Sequence, residues 1–114
     1  MSSDIKVVKV VKPQGILDGT KSASFRTEIS EAVEAGADLV LIDFQDITFM
    51  DSSGLGGLVL ALKTVRAASS KLAVCSINEQ IRILFELTSM DKVFEIYPSK
   101  EAFTESSENL KFLD

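Results

Sequence analysis

The chain has 114 residues, of which 46% are hydrophobic and 25% charged, as is typical of one soluble globular domain with a modest core. The net charge is −5 and no basic stripe is present, which argues against a nucleic-acid partner, and no apolar stretch is long enough to span a membrane. The chain contains no histidine, so it lacks the commonest general base and the usual nitrogen ligand of zinc. This absence leaves open an enzyme that uses only carboxylates or lysine, but it argues against catalysis, and we expect no enzyme activity, no catalytic residue, no metal and no cofactor.

The N-terminal part of the chain predicts two strands, a helix and a further strand. Residues 5–11 carry four valines and an isoleucine, which favour a strand because β-branched side chains fit a pleated sheet. Turn chemistry at residues 13–15 then predicts a hairpin to a short second strand at 16–17. Apolar residues at helical spacing predict a first helix between 19 and 36, and the apolar run 38–44 predicts a central strand.

The C-terminal part continues this alternation of helices and strands. Apolar residues at helical spacing predict a helix over 55–68, and the apolar run 72–77 predicts a fourth strand. A helix capped by Asn78 follows. A short edge strand at 93–96 and a last helix that begins at Pro98 and runs through residue 103 complete the predicted elements.

These elements predict an α/β (or α+β) fold with a four- to five-stranded mixed sheet and helices packed mainly on one face. Residues 1–103 form the single domain, and the polar segment 104–114 is expected to be a loosely ordered tail. Cys75 is the only cysteine and lies inside an apolar run, which predicts a reduced thiol in the core and a cytoplasmic protein.

The most informative segment is Met50-Asp-Ser-Ser-Gly-Leu-Gly-Gly57, between the predicted central strand and the helix that follows it. A strand that turns into a helix here places two hydroxyls at a helix N-terminus, where free N–H groups and the helix dipole favour a phosphate. One interpretation is that a serine of this segment is phosphorylated. The other is that Asp51, Ser52 or Ser53 simply caps the helix.

Other phosphate-related motifs do not fit the chain. The segment 15–22 has the residue types of a P-loop but not the required Gly-Lys-Ser/Thr spacing. An esterase elbow fails because no histidine can activate Ser52 or Ser53. A response-regulator receiver domain shares the apolar strand at 39–44, but it needs an acidic pair after the first strand to hold Mg²⁺, and Lys12-Pro-Gln14 supplies none.

Two segments together strongly resemble the STAS domain, and more narrowly the bacterial anti-sigma factor antagonists. They are Gly15-Ile-Leu-Asp18 and Asp43-Phe-Gln-Asp-Ile-Thr-Phe-Met-Asp-Ser-Ser-Gly-Leu-Gly56, and the resemblance in element order covers residues 5–103. It implies that the unphosphorylated chain binds an anti-sigma factor that is also a serine kinase, and so releases a sigma factor. Phosphorylation of one serine abolishes this binding, and a metal-dependent serine phosphatase restores it.

The same resemblance implies a role for individual residues. The phosphate acceptor corresponds to Ser53, and the family's two aspartates correspond to Asp18 and Asp51. Contact with the partner is accordingly expected from a set of residues at the two motifs, namely Asp18, Asp51, Ser52, Ser53, Gly54, Leu55 and Gly56. Asp18 has a second interpretation, because it is also suited to cap the first helix.

Three glycines in the first turns of the helix need an explanation, since each costs about 1 kcal/mol relative to alanine in a helix. In one interpretation Gly54, Gly56 and Gly57 leave the Ser53 hydroxyl open and allow a partner backbone to come close. In the other they allow the helix to pack tightly on the sheet. The first interpretation predicts that substitution of Asp51 or Gly54 weakens binding and leaves the fold largely intact.

STAS domains also occur in stressosome scaffolds, transporter tails and lipid-transport complexes. The alternative function is therefore a non-switching scaffold subunit of a larger signalling or lipid-transport assembly, in which Ser53 is only a helix cap. Carriage of a small molecule or lipid is a third hypothesis, and it would require an apolar cavity.

Overall fold

The computed structural model describes residues 5–113, in which helices and strands alternate along the chain. The elements are β1 (Lys6–Val11), β2 (Gly15–Leu17), α1 (Ser22–Glu34), β3 (Leu39–Asp43), β4 (Ile47–Met50), α2 (Ser52–Ala67), β5 (Lys71–Cys75), α3 (Glu79–Leu87), β6 (Glu95–Tyr97), α4 (Lys100–Glu105) and β7 (Leu110–Phe112). Short 3₁₀ turns at Gly19–Lys21 and Met90–Lys92 precede α1 and β6.

The main sheet has five strands in the order β6-β5-β3-β1-β7. The predicted α/β fold is confirmed, and the main sheet has five strands as expected, but its fifth strand is β7 and not the predicted strand at 16–17. Every strand pair among the described residues is parallel, however, rather than the mixed arrangement expected. The central strand β3 pairs with β1 and with β5 and is almost entirely buried, which explains its continuous apolar sequence.

The predicted hairpin between the first two strands is wrong. Strand β2 leaves the main sheet and pairs in parallel with β4, with Leu17 opposite Met50, to form a separate two-stranded sheet. Gly15 has φ of +79°, a left-handed conformation that suits glycine and redirects the chain after the Lys12-Pro-Gln segment. A parallel pair needs a long crossover, which here consists of α1 and β3.

The core lies mainly on one face of the sheet, as expected. Helices α1, α2 and α3 cover that face with buried side chains such as Ile29, Leu58 and Phe85. On the other face Phe103 of α4 packs with buried residues that include Cys75. Cys75 is a free buried thiol, as predicted, and burial raises its pKa to about 11.

The C-terminal segment differs from the expected loose tail. The last helix begins at Lys100 rather than at Pro98, and Ser99 caps it, since its Oγ accepts a hydrogen bond of 3.0 Å from the Ala102 N–H. Strand β7 then pairs with β1 along Lys6–Val8. The Leu113 N–H donates to the Val8 carbonyl at 2.8 Å. Strand β7 forms because β1 is otherwise an edge strand with free backbone groups. Leu113 packs against the core residues on the face covered by α1, α2 and α3, and Leu110 packs against those around Phe103 on the other face.

Within residues 5–113, no helix combines the length and the apolar character needed to cross a membrane.

Candidate functional site

The two sequence-predicted aspartates lie side by side at one end of the small sheet. Leu17 and Met50 are register partners in the parallel pair β2–β4, so the residues that follow them, Asp18 and Asp51, leave the sheet together. Both have extended backbones, with φ of −135° at Asp18 and −101° at Asp51. Each stands immediately before a helical turn, so two chain segments 33 positions apart converge on one site.

Both aspartates act as helix caps. Oδ1 of Asp18 accepts hydrogen bonds from the Thr20 N–H at 2.9 Å and from the Thr20 hydroxyl at 2.5 Å. The bond from that hydroxyl lowers the pKa of the Asp18 carboxyl below its ordinary value, so the group is ionised at neutral pH. Oδ1 of Asp51 accepts from the Gly54 N–H at 2.8 Å and begins α2. Asp51 is therefore the cap of α2, and neither Ser52 nor Ser53 has that role.

Ser53 is exposed in the first turn of α2, where backbone N–H groups have no partner within the helix. The turn after β2 lies beside it. A Cβ built at Gly19 would be 3.6 Å from Ser53 Cβ and 3.9 Å from Ser53 Oγ. Because Gly19 has no side chain, this turn lies beside Ser53 and leaves its hydroxyl uncovered. A phosphoryl group has access to that hydroxyl, and the helix N-terminus favours the charge it would bring.

The glycines of α2 have different roles, so both interpretations of them apply. Gly54 is buried, and a Cβ there would lie 2.0 Å from the Leu17 carbonyl oxygen and 2.9 Å from Met50 Cγ. Gly56 is exposed, with no atom within 4 Å of a Cβ built on it. Gly54 therefore allows the helix to pack against β2, whereas nothing within the described chain requires a glycine at position 56.

Burial changes two of the expected partner contacts. Gly54 is enclosed by β2 and β4, and the Leu55 side chain is only 7% exposed. Neither residue presents a side chain to a partner, and the expectation that Gly54 can be substituted without harm to the fold is wrong. Asp18, Asp51, Ser52, Ser53 and Gly56 are at least partly exposed and remain available at the surface.

Helix α3 holds the outer edge of β4. The Met50 N–H donates to Oε1 of Gln80 at 2.9 Å, and Nε2 of Gln80 donates to the Met50 carbonyl at 2.8 Å. Asn78, which caps α3 as predicted, also donates from Nδ2 to the carbonyls of Ile47 and Thr48 at 3.2 Å. The sequence-based reasoning missed Gln80. The available signal was a glutamine two residues after the predicted cap Asn78. Its side-chain amide can both donate and accept a hydrogen bond, so it can pair with the N–H and the carbonyl of an edge-strand residue.

Replacement of Gln80 by alanine is expected to destabilise the fold by about 1–2 kcal/mol, because the Met50 N–H and carbonyl lose their partners. Thermal unfolding measures this cost, and hydrogen exchange at the Met50 amide locates it. Leu87→Ala is the matched control, since Leu87 is on the same helix and 80% exposed. An unchanged melting temperature together with unchanged exchange at Met50 would show that Gln80 does not hold the strand.

Comparison with known proteins identifies the family. The sequence profile of the STAS domain matches residues 3–102. The chain belongs to the STAS domain family. The anti-sigma F factor antagonist of Paenibacillus polymyxa is 29% identical to this STAS domain over 100 residues, which cover 86% of each chain. The anti-sigma-B factor antagonist of Bacillus subtilis is 30% identical over 87 residues, covering 76% of this chain and 79% of the relative.

A solved relative has the same fold as this STAS domain. It is the Bacillus cell fate determinant SpoIIAA in its phosphorylated form, with a TM-score of 0.63 at 23% identity. The superposition covers 86% of this chain and 89% of that one. The expected resemblance to the STAS domain and to the anti-sigma factor antagonists is confirmed.

The described residues do not bring together three or more histidine, cysteine, aspartate or glutamate side chains in a group that could hold a metal ion.

Proposed function

We propose that this STAS domain is an anti-sigma factor antagonist that is switched by phosphorylation of Ser53. Unphosphorylated, it binds an anti-sigma factor that is also a serine kinase, and so releases a sigma factor in the cytoplasm. The observation that carries the proposal is that Asp51 caps α2, which leaves the exposed Ser53 hydroxyl free of a structural role. The names of the relatives support the sigma-factor pathway, and the solved phosphorylated form of SpoIIAA supports a phosphate switch.

The modification transfers the γ-phosphoryl group of ATP to Ser53 Oγ, with loss of the hydroxyl proton and release of ADP. The reaction is the kinase's, so this chain supplies the acceptor and no catalytic residue. A metal-dependent serine phosphatase later hydrolyses the ester. The phosphate adds a charge of about −1.5 to −2 next to Asp51. In the chain alone this charge faces water and the α2 N-terminus, whereas in the complex it must be desolvated.

The partner covers the surface around Ser53. Asp18, Asp51 and Ser52 supply polar groups there, and Gly56 provides a place without a side chain where the partner backbone approaches α2 closely. This role explains why a glycine occupies an exposed helical position at a cost of about 1 kcal/mol relative to alanine. The buried Gly54 and Leu55 contribute only by fixing the position of this helical turn.

Incubation with ATP and the purified anti-sigma factor kinase of the same host is expected to add one phosphate, at Ser53. Ser53→Ala should abolish the modification, and Ser52→Ala is the matched control that should retain it. Intact mass and peptide mapping by mass spectrometry measure both results. A phosphate on Ser52, Ser106 or Ser107 would overturn the assignment, and no phosphate on any residue would favour the non-switching scaffold subunit instead.

A further inference from the structure

The outer face of the small sheet presents two large apolar side chains to solvent. Ile16 and Phe49 are register partners in the pair β2–β4, and their exposed fractions are 49% and 44%. Their successors Leu17 and Met50 are buried on the opposite face. Since side chains alternate between the two faces of a strand, a cross-strand pair of this kind is an apolar patch that the fold itself does not cover.

The two aspartates lie next to this apolar pair along the chain. Asp18 and Asp51 follow directly after the ends of β2 and β4, two residues beyond Ile16 and Phe49, and the Asp51 N–H donates to the Leu17 carbonyl at 3.4 Å. The cap bonds of both carboxylates are made through Oδ1. Besides the hydrogen bond from the Thr20 hydroxyl, the positive charge of Lys21 contributes to the lowered pKa of Asp18, and the Lys21 ammonium group donates a hydrogen bond of 2.8 Å to the Gln14 carbonyl. The salt bridges of Lys12 with Asp46 and of Arg82 with two glutamates involve neither aspartate.

We propose that Ile16 and Phe49 form the apolar half of the docking surface for the anti-sigma factor. The occupant is a segment of that partner which places an apolar side chain on Ile16 and Phe49 and an arginine or lysine against Asp18 and Asp51. This inference rests on the proposed function and adds the chemistry of the partner segment to it.

Charge and composition both support this occupant. Two neighbouring carboxylates on a chain with a net charge of −5 attract a cation, and a charge-assisted hydrogen bond to a carboxylate is among the stronger polar contacts at an interface. Aromatic side chains are enriched among the residues that dominate binding energy, and burial of Phe49 beside Ile16 provides such an anchor. The surface adjoins the phosphate acceptor, since Asp51 is two residues before Ser53.

The test is a calorimetric titration of the full chain with the purified anti-sigma factor kinase of the same host. Ile16→Thr and Phe49→Thr keep a residue type that suits strands but remove the apolar surface, and each is expected to weaken binding about tenfold. Ile5→Thr is the matched control. Ile5 is 58% exposed and comes just before β1 of the main sheet, whereas Ile16 and Phe49 belong to the separate small sheet, so its substitution should leave the affinity unchanged.

Two further variants test the cation. Asp18→Asn and Asp51→Asn retain a residue that can cap a helix and remove only the charge. Wild-type affinity should fall as salt is raised, and each asparagine variant should show weaker binding with a smaller salt dependence. Circular dichroism melts of every variant establish that the fold is retained.

The outcomes separate the inference from the function on which it rests. If the wild-type chain binds but Ile16→Thr and Phe49→Thr bind equally well, the docking inference is overturned and the proposed function stands. A second outcome is that the threonine variants bind weakly while neither salt nor the asparagine substitutions change the affinity. This result would overturn the inference that the occupant places an arginine or lysine against Asp18 and Asp51. If the wild-type chain itself does not bind, the proposed function fails, and the inference fails with it.

Discussion

Replacement of Gly54 by alanine is expected to destabilise the fold by about 3 kcal/mol, a fall in melting temperature of about 10 °C or more. The added methyl group would lie 2.0 Å from the Leu17 carbonyl oxygen and 2.8 Å from its carbonyl carbon. These are backbone atoms of β2, which cannot rotate away as a flexible side chain can. To make room, α2 would have to move off the small sheet and disturb the Asp51 cap.

The matched control for this prediction is Gly56→Ala, two residues along the same helix. No atom lies within 4 Å of the Cβ position there, so alanine should raise stability by up to about 1 kcal/mol through its better helix propensity. Thermal and chemical unfolding of both variants give the comparison. Equal melting temperatures would show that the close approach of α2 to β2 is relieved at little cost. In a binding titration, Gly56→Ala should also weaken the partner complex, because its methyl group occupies the proposed site of close approach.

Ser53→Asp is expected to bind the anti-sigma factor about 100-fold more weakly than the wild-type chain, while melting within a few degrees of it. The loss of affinity has the size observed when a charge is buried at an interface without a partner. The fold should be spared, because one acidic side chain in the first turn of α2 is neutral or stabilising by about 1 kcal/mol or less. Circular dichroism melts and calorimetric titrations on the same samples measure the two effects.

Ser53→Asn controls for the size of the substituted side chain, since asparagine matches aspartate in shape and carries no charge. It should bind more tightly than Ser53→Asp if charge is the main cause of the loss. Retained affinity in Ser53→Asp would contradict the local switch, and so would a collapsed fold. Equal losses in the two variants would assign the effect to bulk alone.

Local sequence patterns predicted the helices and four of the five strands of the main sheet, because those elements have clear apolar patterns. The central strand at Leu39–Asp43 is a continuous apolar run, and the apolar stripe of α2 has helical spacing. Strand β4 was missed because it has only four residues, two of them exposed, and so shows no clear alternation. The partner of β2 could not be predicted from the adjacent turn, because the pairing joins residues separated by a helix and a strand.

The candidate site was predictable where a residue's role is chemical and local. Asp18, Asp51 and Ser53 belong to short motifs whose resemblance to the STAS family could be read directly. The distinction between Gly54 and Gly56 could not, since it depends on the carbonyl of Leu17, a residue remote in sequence. The support of β4 by Gln80 depends in the same way on a contact across 30 positions. Strand β7 was missed because its few apolar residues follow a polar segment that resembles a disordered tail.

The tight contact between α2 and β2 has a consequence for the speed of the proposed signal. With Gly54 packed directly against the Leu17 carbonyl, the first turn of α2 has no room to move towards β2, and we expect a phosphate on Ser53 to change the charge of this turn rather than its position. Phosphorylation of Ser53 would then alter binding of the partner as soon as the phosphate is attached. The lag between stimulus and response would be set by the turnover of the kinase and phosphatase and by dissociation of the complex, and not by any slow rearrangement within this chain.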